Sequence, residues 1–270
     1  MGVDDAVSHE LGKHVSRHPW RATFDSAVMP VAISLIFLAV GLVLISAGGA
    51  LITFGILAIA ATKIPIQLAI TSWRDRNNAF DLYANGVVVS YRGLTHTWPW
   101  RDIQLRYCVR RSGHGPWATA HHHHRLGCGD VEVPADARFD HFVDLIREID
   151  RAILDHQLAP TAQAIAAGES RAFGVLTIGP QGIETPIVAM SWSQIASVDL
   201  FNGRVTIRRL GDGLTIAFDY AAMWNAAVAL ILVRLGLAGA FASRGPLRTS
   251  DLRRHIGEIT ENTERFTRRP

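Results

Sequence analysis

The sequence predicts an α+β membrane protein, in which a two-helix transmembrane hairpin precedes two small strand-rich units that each close with a C-terminal helix. Three observations lead to this fold class. Residues 26–73 contain a single charged side chain, Lys63. The chain that follows switches to alternating apolar and polar positions with turn signals. The same order of strands and helix then occurs again in the second half of the 270 residues.

The apolar run is long enough to cross a bilayer twice. About 20 apolar residues span the hydrocarbon, and Gly48-Gly49 divides the run into lengths of about 26–46 and 50–70. Both should be helices, because backbone polar groups cannot stay unpaired in lipid. A chain of this size cannot build a core that buries the whole run, so we expect a transmembrane helical hairpin.

Basic residues near the ends of the hairpin predict its orientation. Lys13, Arg17 and Arg21 precede it and Arg74 and Arg76 follow it, whereas the connecting turn has none. Because basic residues stay on the cytoplasmic side, we expect a multi-pass protein of the inner (plasma) membrane with both termini in the cytoplasm. The net charge of +3 is mild, and two cysteines imply no disulfide framework.

The segment after the hairpin predicts a strand meander and then an amphipathic helix. Asn85-Gly86 is a strong hairpin-turn signal between two strand-forming runs, and we expect its glycine to adopt a positive φ. Trp100 and Ile103 should fill the core of this unit. From Asp136 to about His156 the apolar period changes to 3.6 residues, which is typical of a helix.

The second half presents the same signals in the same order. Gln181-Gly182 stands where Asn85-Gly86 stood, and Trp192-Ser193-Gln194-Ile195 where Trp100-Arg101-Asp102-Ile103 stood. The apolar run 220–237 then closes the second unit. Extended to residues 220–242, with Arg234 as the only charge, this run is an alternative third transmembrane helix.

Leu82-Tyr83-Ala84-Asn85-Gly86-Val87, followed by Trp100-Arg101-Asp102-Ile103, resembles a pattern of bacterial membrane-anchored protein families of unknown function with pleckstrin-homology-like (PH-like) domains. The resemblance covers residues 80–156 and, more loosely, 174–237. It implies that each unit is a PH-like β-barrel or sandwich, and whether the second is a true copy of the first stays open. The predicted domains are an N-terminal cytoplasmic segment (1–25), the hairpin (26–72), the first PH-like unit (79–157), a linker (158–171), the diverged second PH-like unit (172–240) and a basic helical tail (241–270).

Arginines of the first unit are the candidate ligand-binding residues. Guanidinium forks suit phosphate and carboxylate, and the open end of a PH-like barrel would present them to an anionic lipid headgroup or to a protein or peptide partner. The candidates are Arg92, Arg101, Arg106, Arg110 and Arg111. The sequence lacks the basic stripe with interleaved aromatic residues that would predict nucleic-acid binding.

A histidine run provides the candidate metal ligands, since imidazole and thiolate bind transition metals. The candidates are His114, His121, His122, His123, His124 and Cys128. The paired ligand spacing of structural zinc sites is absent, and a run of this kind is also typical of an exposed loop. We therefore expect no resident cofactor.

Motifs of the common reaction classes are missing from the sequence, including the phosphate-binding loop, the nucleophile elbow and the zinc-protease helix. We therefore predict no catalytic residue and expect a non-enzymatic scaffold, sensor or regulatory binding protein. Two alternatives stay open. One is a metal-binding sensor or enzyme that uses His121–His124 with Cys128. The other is a subunit of an oligomeric transporter or channel, because Lys63 lies within a predicted span.

Overall fold

The computed structural model describes residues 10–20, 24–47, 51–63, 66–67, 70, 75, 77–112, 119–201 and 203–241. In its helices and strands, the side chains at 24–28, 51, 55, 109–112 and 119–122 are not described. The described residues fall into two compact units. The first lies within 1–97 and 137–142, and the second within 98–136 and 143–270.

A four-stranded antiparallel sheet contributes to the first unit. Its strands are β1 (His14–Pro19), β2 (Ala79–Tyr83), β3 (Gly86–Tyr91) and β4 (Leu94–Pro99), in that spatial order. Strand β1 pairs with β2, with Pro19 opposite Ala79. No strand was predicted in residues 1–25. Strand β1 is short and mostly polar, and its partner lies beyond the whole apolar run, so no local pattern indicates the pairing.

Two apolar helices lie between β1 and β2 in the chain. Helix α1 (Phe24–Ser46) is the one described helix that is long and apolar enough to cross a membrane. Its Leu35, Ile36 and Val43 are 61, 63 and 66% exposed. Helix α2 (Leu51–Ala61) contacts α1 and has 11 residues. The predicted second span, 50–70, continues into positions outside the described residues, so the complete hairpin stays a prediction.

The second unit begins at Trp98, near the end of β4. A short 3-10 helix (Trp100–Asp102) leads into β5 (Gln104–Ser112), β6 (Thr119–Cys128) and β7 (Val131–Ala135), which form an antiparallel sheet in that order. The prediction for Trp100 and Ile103 is confirmed, since each is only 1% exposed. Their burial provides the start of the apolar core of this unit.

Helix α3 (Phe142–Ala166) continues beyond the predicted end near residue 156. Residues 158–166, which the sequence analysis assigned to a linker, belong to this helix. Leu158, Ala162 and Ile165 are buried and extend its apolar stripe at spacings of four and three residues. Packing of this stripe outweighs the helix-breaking tendency of Pro160, which lies on the exposed side.

Seven further strands and a helix complete the second unit. Strands β8 (Arg171–Phe173), β9 (Leu176–Ile178), β10 (Gly182–Glu184) and β11 (Ala189–Ser191) form one sheet. After a 3-10 helix (Trp192–Gln194), a second sheet contains β12 (Ile195–Phe201), β13 (Arg204–Arg209) and β14 (Thr215–Asp219). Helix α4 (Ala226–Leu237) follows. Four strands, a 3-10 helix, three strands and a helix thus occur twice along the chain, while the PH-like assignment of each set stays a prediction.

Helix α4 is a core helix of the second unit. It has 12 residues, fewer than the roughly 20 that a membrane span needs, and nearly all of them are buried within the unit. Gly236 lies against the ring of Trp192, where an added Cβ would come within 2.5 Å of the indole. The alternative of a third span at 220–242 is therefore not supported by the described residues of this segment.

The backbone conformation of the turn glycines differs from the prediction. Neither Gly86 nor Gly182 is among the residues with positive φ. At Gly182 the reason for glycine is close approach, because a Cβ would overlap the carbonyl oxygen of Met190 and lie 2.7 Å from the Cα of Ser191. The absence of a side chain thus allows β10 to pair closely with β11.

Candidate functional site

The sheet of β5, β6 and β7 carries most of the residues that the sequence analysis singled out. Its register places Arg106 opposite Arg125, Tyr107 opposite His124 and Cys108 opposite His123. Because successive residues of a strand point to opposite faces, the members of the histidine run alternate between the two faces of the sheet. The run is part of a strand and not of a loop.

Arg106 is held in place by its neighbours in the second unit. Its Nε donates a hydrogen bond to the carbonyl oxygen of Ala221 at 2.9 Å. Its guanidinium carbon lies 5.5 Å from the centroid of the Trp224 ring, within the range of a cation–π contact. The half-buried side chain therefore helps to join β5 to the segment before α4, which leaves less of it available to a ligand.

The other arginine candidates are spread over the chain. Arg101 is exposed and lies 3.5 Å from Asp102 in the same 3-10 helix. Arg92 is exposed at the tip of the β3–β4 hairpin, in the first unit, with a φ of 52°. Arg110 and Arg111 lie in β5, where their side chains are not described. Arg92 thus belongs to the first unit and Arg101 and Arg106 to the second, and ligand binding at these five positions stays a prediction.

The candidate metal ligands are only partly described. His114 lies outside the described residues, and the side chains of His121 and His122 are not described. Among the described residues, no group of three or more His, Cys, Asp and Glu side chains is arranged to hold a metal ion. The predicted set with His123, His124 and Cys128 therefore stays a prediction.

Both thiols are half-buried and free. Burial raises the pKa of the Cys108 thiol and outweighs the opposing effect of Arg106 and Arg125, which lower it. Burial, with a contribution from Asp102, also raises the pKa of the Cys128 thiol. Because the thiolate is the form that binds metals and attacks electrophiles, both thiols are held in their less reactive form at neutral pH.

A cluster of ionisable side chains includes Tyr107 of β5 and His124 of β6, which lie on the opposite face of the sheet from Cys108 and His123. The Tyr107 ring is 5.3 Å from His124 and 6.1 Å from Tyr220, both edge to face. Asp150 on α3 is close enough to Tyr220 for its charge to contribute to that residue's pKa. Burial raises the pKa of Asp150 to about 7. Burial, then Asp150 and then Tyr107, raise the pKa of Tyr220.

A second polar centre surrounds Asn225, the residue before α4. Its Oδ1 accepts a hydrogen bond from the Leu105 backbone N–H at 2.6 Å. Its Nδ2 donates to the Ile103 carbonyl at 2.9 Å and to Gln157 Oε1 at 2.8 Å. Gln157 in turn donates to the Trp100 and Ile103 carbonyls at 2.6 and 2.7 Å. The buried Asn225 and the half-buried Gln157 thus connect β5, α3 and α4.

Neither polar centre was identified from the sequence. Asp150 and Gln157 lie within an amphipathic helix, where polar residues are expected on the wet face, and Tyr220 and Asn225 lie within a run that reads as apolar. A signal was present at Asn225, since asparagine is a favoured residue before a helix and tolerates positive φ. Its partners could not be inferred, because Gln157 lies 68 residues away and Leu105 and Ile103 lie 120 and 122 residues away.

These observations define a class of protein: two sets of small antiparallel sheets, each followed by a helix, with one apolar helix of membrane-spanning length near the N-terminus. The chain belongs to a family of unknown function, DUF6585, whose sequence profile matches residues 4–237. Helix α1 and both sets of sheets lie inside the matched range. No curated protein and no solved structure matches the chain.

Proposed function

We propose that the protein is an integral, multi-pass protein of the bacterial inner membrane that presents two PH-like modules to the cytoplasm and acts as a non-enzymatic scaffold, sensor or regulatory binding protein. The observation that supports it best is the hydrogen-bonded pairing of β1 with β2 on either side of the apolar segment. Helix α1 lies between these two strands in the chain.

The pairing constrains any crossing of the membrane. Strands that share a ladder lie about 5 Å apart, so β1 and β2 must be on the same side of a bilayer. If α1 crosses, the chain between Ser46 and Ala79 must cross back. That segment contains α2 and is long enough for a second span of about 20 residues. A helical hairpin satisfies this requirement, and the contact between α1 and α2 is consistent with it.

The exposure of α1 supports a lipid environment. Large apolar side chains on most of its circumference are exposed, including Leu35, Ile36, Leu42 and Val43. Burial of such side chains is worth about 1.5–3 kcal/mol each, and a bilayer provides it. Lys13 and Arg17, which precede α1, favour the cytoplasmic side for the paired strands.

The contacts of the polar side chains favour a binding role over a catalytic one. Arg106, Gln157 and Asn225 each bond to main-chain atoms of another segment, and both thiol pKa values are raised. These groups stabilise the arrangement of strands and helices. Binding of a lipid, a protein or a peptide at the exposed surface of the modules does not require a reactive side chain.

The membrane part of the proposal is tested with single cysteines in a Cys108→Ser/Cys128→Ser background. Ser46→Cys lies at the far end of α1, whereas Val15→Cys and Ala84→Cys lie on β1 and after β2. In intact spheroplasts of a bacterial host, a membrane-impermeant maleimide should label Ser46→Cys only. After permeabilisation it should label all three. Equal labelling of the three positions in intact spheroplasts, or release of the protein by alkaline carbonate, would contradict the proposal.

The binding part is tested separately with the full chain in native membranes. Photo-crosslinking groups placed at exposed positions of the two modules should yield defined adducts with a lipid or a protein in native membranes. The same positions should give none after unfolding. Substrate turnover that depends on His124 or Asp150 would instead identify an enzyme and overturn the non-enzymatic assignment.

A further inference from the structure

Four half-buried side chains of the second unit lie together, although their segments are far apart in the chain. They are Tyr107 of β5, His124 of β6, Asp150 of α3 and Tyr220, which begins a 3-10 helix (Tyr220–Ala222) between β14 and α4. The register places Tyr107 directly opposite His124, and the charge of Asp150 reaches Tyr220. We call these four side chains the aromatic–acid cluster. None of them contributes to the proposed membrane anchoring.

The backbone at Tyr220 is held by hydrogen bonds to three other positions. Its N–H donates to the Gly203 carbonyl at 2.8 Å, and its carbonyl accepts from the Met223 N–H at 3.1 Å. The next carbonyl along the chain, that of Ala221, accepts from Arg106 Nε at 2.9 Å. Because the segment is fixed before any ligand arrives, a ligand that contacts the Tyr220 ring does not have to order it.

The three aromatic rings of the cluster face in different directions. The Tyr107 ring plane is inclined by 62° to that of His124 and by 66° to that of Tyr220, with ring centroids 5.3 and 6.1 Å apart. A cation that lies in the corner between inclined rings contacts the negative face of at least one of them. Aromatic walls of this kind bind organic ammonium ions, whose alkyl groups pack on the rings.

Asp150 is the acidic group of the cluster, and no basic group among the described residues forms an ion pair with it. Burial raises its pKa to about 7, and no neighbouring positive charge opposes this effect. The residue nevertheless keeps part of its surface accessible, so a small solute can reach it. A carboxylate that is largely surrounded by protein is unfavourable unless it is paired. The site is therefore most stable with a proton or another cation at Asp150.

Basic residues near the cluster do not provide that cation. Arg106 and Arg125 are sequence neighbours of the cluster residues in β5 and β6 and therefore lie on the opposite face of the sheet. Arg147 and Arg151 lie on either side of Asp150 at exposed positions of α3. Two further acidic residues adjoin the cluster in the chain, and they favour a cation over an anion. They are Asp219, before Tyr220, and Asp136, which follows the residue opposite His124 on β7.

We propose that the aromatic–acid cluster is a binding site for a small organic ammonium ion, which pairs with the Asp150 carboxylate and packs against the rings of Tyr107, His124 and Tyr220. When the ion binds to the protonated site, the carboxyl releases its proton to solvent, so the net charge of the site does not change. This inference goes beyond the proposed function and does not depend on membrane anchoring. It gives the second unit a ligand class and a location for that ligand.

The test measures the stabilisation of the full chain by a ligand in a non-ionic detergent. The probe is trimethylammonium chloride, because this ion has an N–H donor for the carboxylate and methyl groups for the rings. A ligand that binds only the folded state stabilises it in proportion to its occupancy, so a concentration series gives an apparent dissociation constant. At pH 8 the probe should raise the thermal midpoint of the wild type above its value in potassium chloride of the same concentration.

The effect of the probe should weaken as the pH falls. With a pKa of about 7, Asp150 is ionised in about nine of ten molecules at pH 8 and in about one of a hundred at pH 5. The apparent dissociation constant of the probe should therefore rise about a hundredfold from pH 8 to pH 5. Protonation of His124 at low pH acts in the same direction, because it adds positive charge to the cluster.

Variants separate the contributions of the carboxylate and the rings. Asp150→Asn removes the charge with little change of shape, so it should abolish the difference between trimethylammonium and potassium. Asp155→Asn, at an exposed position of the same helix, is the matched control and should retain the difference. Tyr220→Leu should raise the apparent dissociation constant about fivefold or more, because it removes a cation–π contact. Tyr220→Phe keeps the ring and should lose less affinity than Tyr220→Leu.

Three results would overturn the ammonium site. They are a wild type that trimethylammonium stabilises no more than potassium at pH 8, an equal gain in Asp150→Asn, and a gain of the same size at pH 5 and pH 8. Stabilisation by zinc chloride without stabilisation by trimethylammonium would identify a metal site instead. Each variant is compared with itself in potassium chloride, so a loss of intrinsic stability does not imitate a loss of binding. Extraction with alkaline carbonate tests the membrane anchoring independently of all these results.

Discussion

Asn225 and Leu105 lie 120 positions apart and exchange two hydrogen bonds: the Leu105 N–H donates to Asn225 Oδ1 at 2.6 Å, and the Asn225 N–H donates to the Leu105 carbonyl at 2.8 Å. Asn225 thus provides β5 with the two hydrogen-bond partners that a neighbouring strand would otherwise supply. It joins β5, in the first set of sheets, to the start of α4, in the second. Segments of both sets are therefore hydrogen-bonded to each other within the second unit.

Removing the Asn225 side chain should destabilise this unit. Asn225→Ala loses three hydrogen bonds, leaves the buried Leu105 N–H unpaired and places alanine at a φ of 46°. We expect the free energy of unfolding to fall by about 3 kcal/mol. Asn225→Gly relieves the backbone strain but not the lost bonds, so it should be intermediate. Urea unfolding in detergent, followed by tryptophan fluorescence, measures both variants, and equal stability of alanine and wild type would contradict the role of the amide.

Close approach at Gly182 predicts a second destabilising change. A Cβ at Gly182 meets backbone atoms of Met190 and Ser191, which cannot move without breaking the pairing of β10 with β11. Gly182→Ala should therefore cost about 3 kcal/mol. Gly127→Ala is the matched control, because Gly127 also lies in a strand and its Cβ would make ordinary contacts of 3.4 Å or more. A shift in thermal midpoint of the same size for both variants would refute the close-approach explanation.

Local sequence patterns predicted only those elements whose signals lie in neighbouring residues of the chain. The apolar run predicted α1, and the burial of Trp100 and Ile103 followed from their place in the strand pattern. Strand β1 could not be predicted, because its partner is β2, beyond the apolar segment. The predicted end of α3 near His156 was wrong, since the buried contacts of Leu158 and Ile165 outweigh the low helix propensity of Pro160.

The candidate sites also divide into features that a local pattern predicts and features that depend on long-range contacts. Residue type alone pointed to Arg92 and Arg106, but their surroundings separate them: Arg92 is exposed at a hairpin tip, while Arg106 bonds to Ala221. The aromatic–acid cluster of Tyr107, His124, Asp150 and Tyr220 exists only after folding. Chemistry that depends on long-range contacts is not visible in the order of residues.

Asp150 predicts a pH-dependent stability. Its pKa in the folded protein is raised to about 7 by burial, from an ordinary value near 4. Below pH 4 the carboxyl is protonated in both states and has no effect. As pH rises from about 4 to about 7, the unfolded state releases the proton and the folded state keeps it, so stability falls across this window and then levels off.

Asp150→Asn tests this dependence because the amide stays neutral at every pH. The variant should match the wild type near pH 4 and exceed it at pH 8 by on the order of 2 kcal/mol. Asp155→Asn, an exposed position of the same helix, is the control and should show no such pH-dependent gain. Thermal unfolding of the full chain in detergent at both pH values provides the comparison. A wild type that is more stable at pH 8 than the Asp150 variant would show that the carboxylate has a stabilising partner when ionised.

The raised pKa values of the two thiols predict slow alkylation at neutral pH. In single-thiol variants, Cys108→Ser and Cys128→Ser, iodoacetamide should modify the remaining cysteine more slowly in the folded protein than in urea, because burial reduces the thiolate population. For Cys108, Arg125→Gln should slow the reaction further, since Arg125 lowers the thiol pKa. Mass spectrometry of timed samples gives the rates. Rapid modification of either folded variant at pH 7 would indicate a stabilised thiolate, as a nucleophile or metal ligand requires, and would revive the metal-binding alternative that includes Cys128.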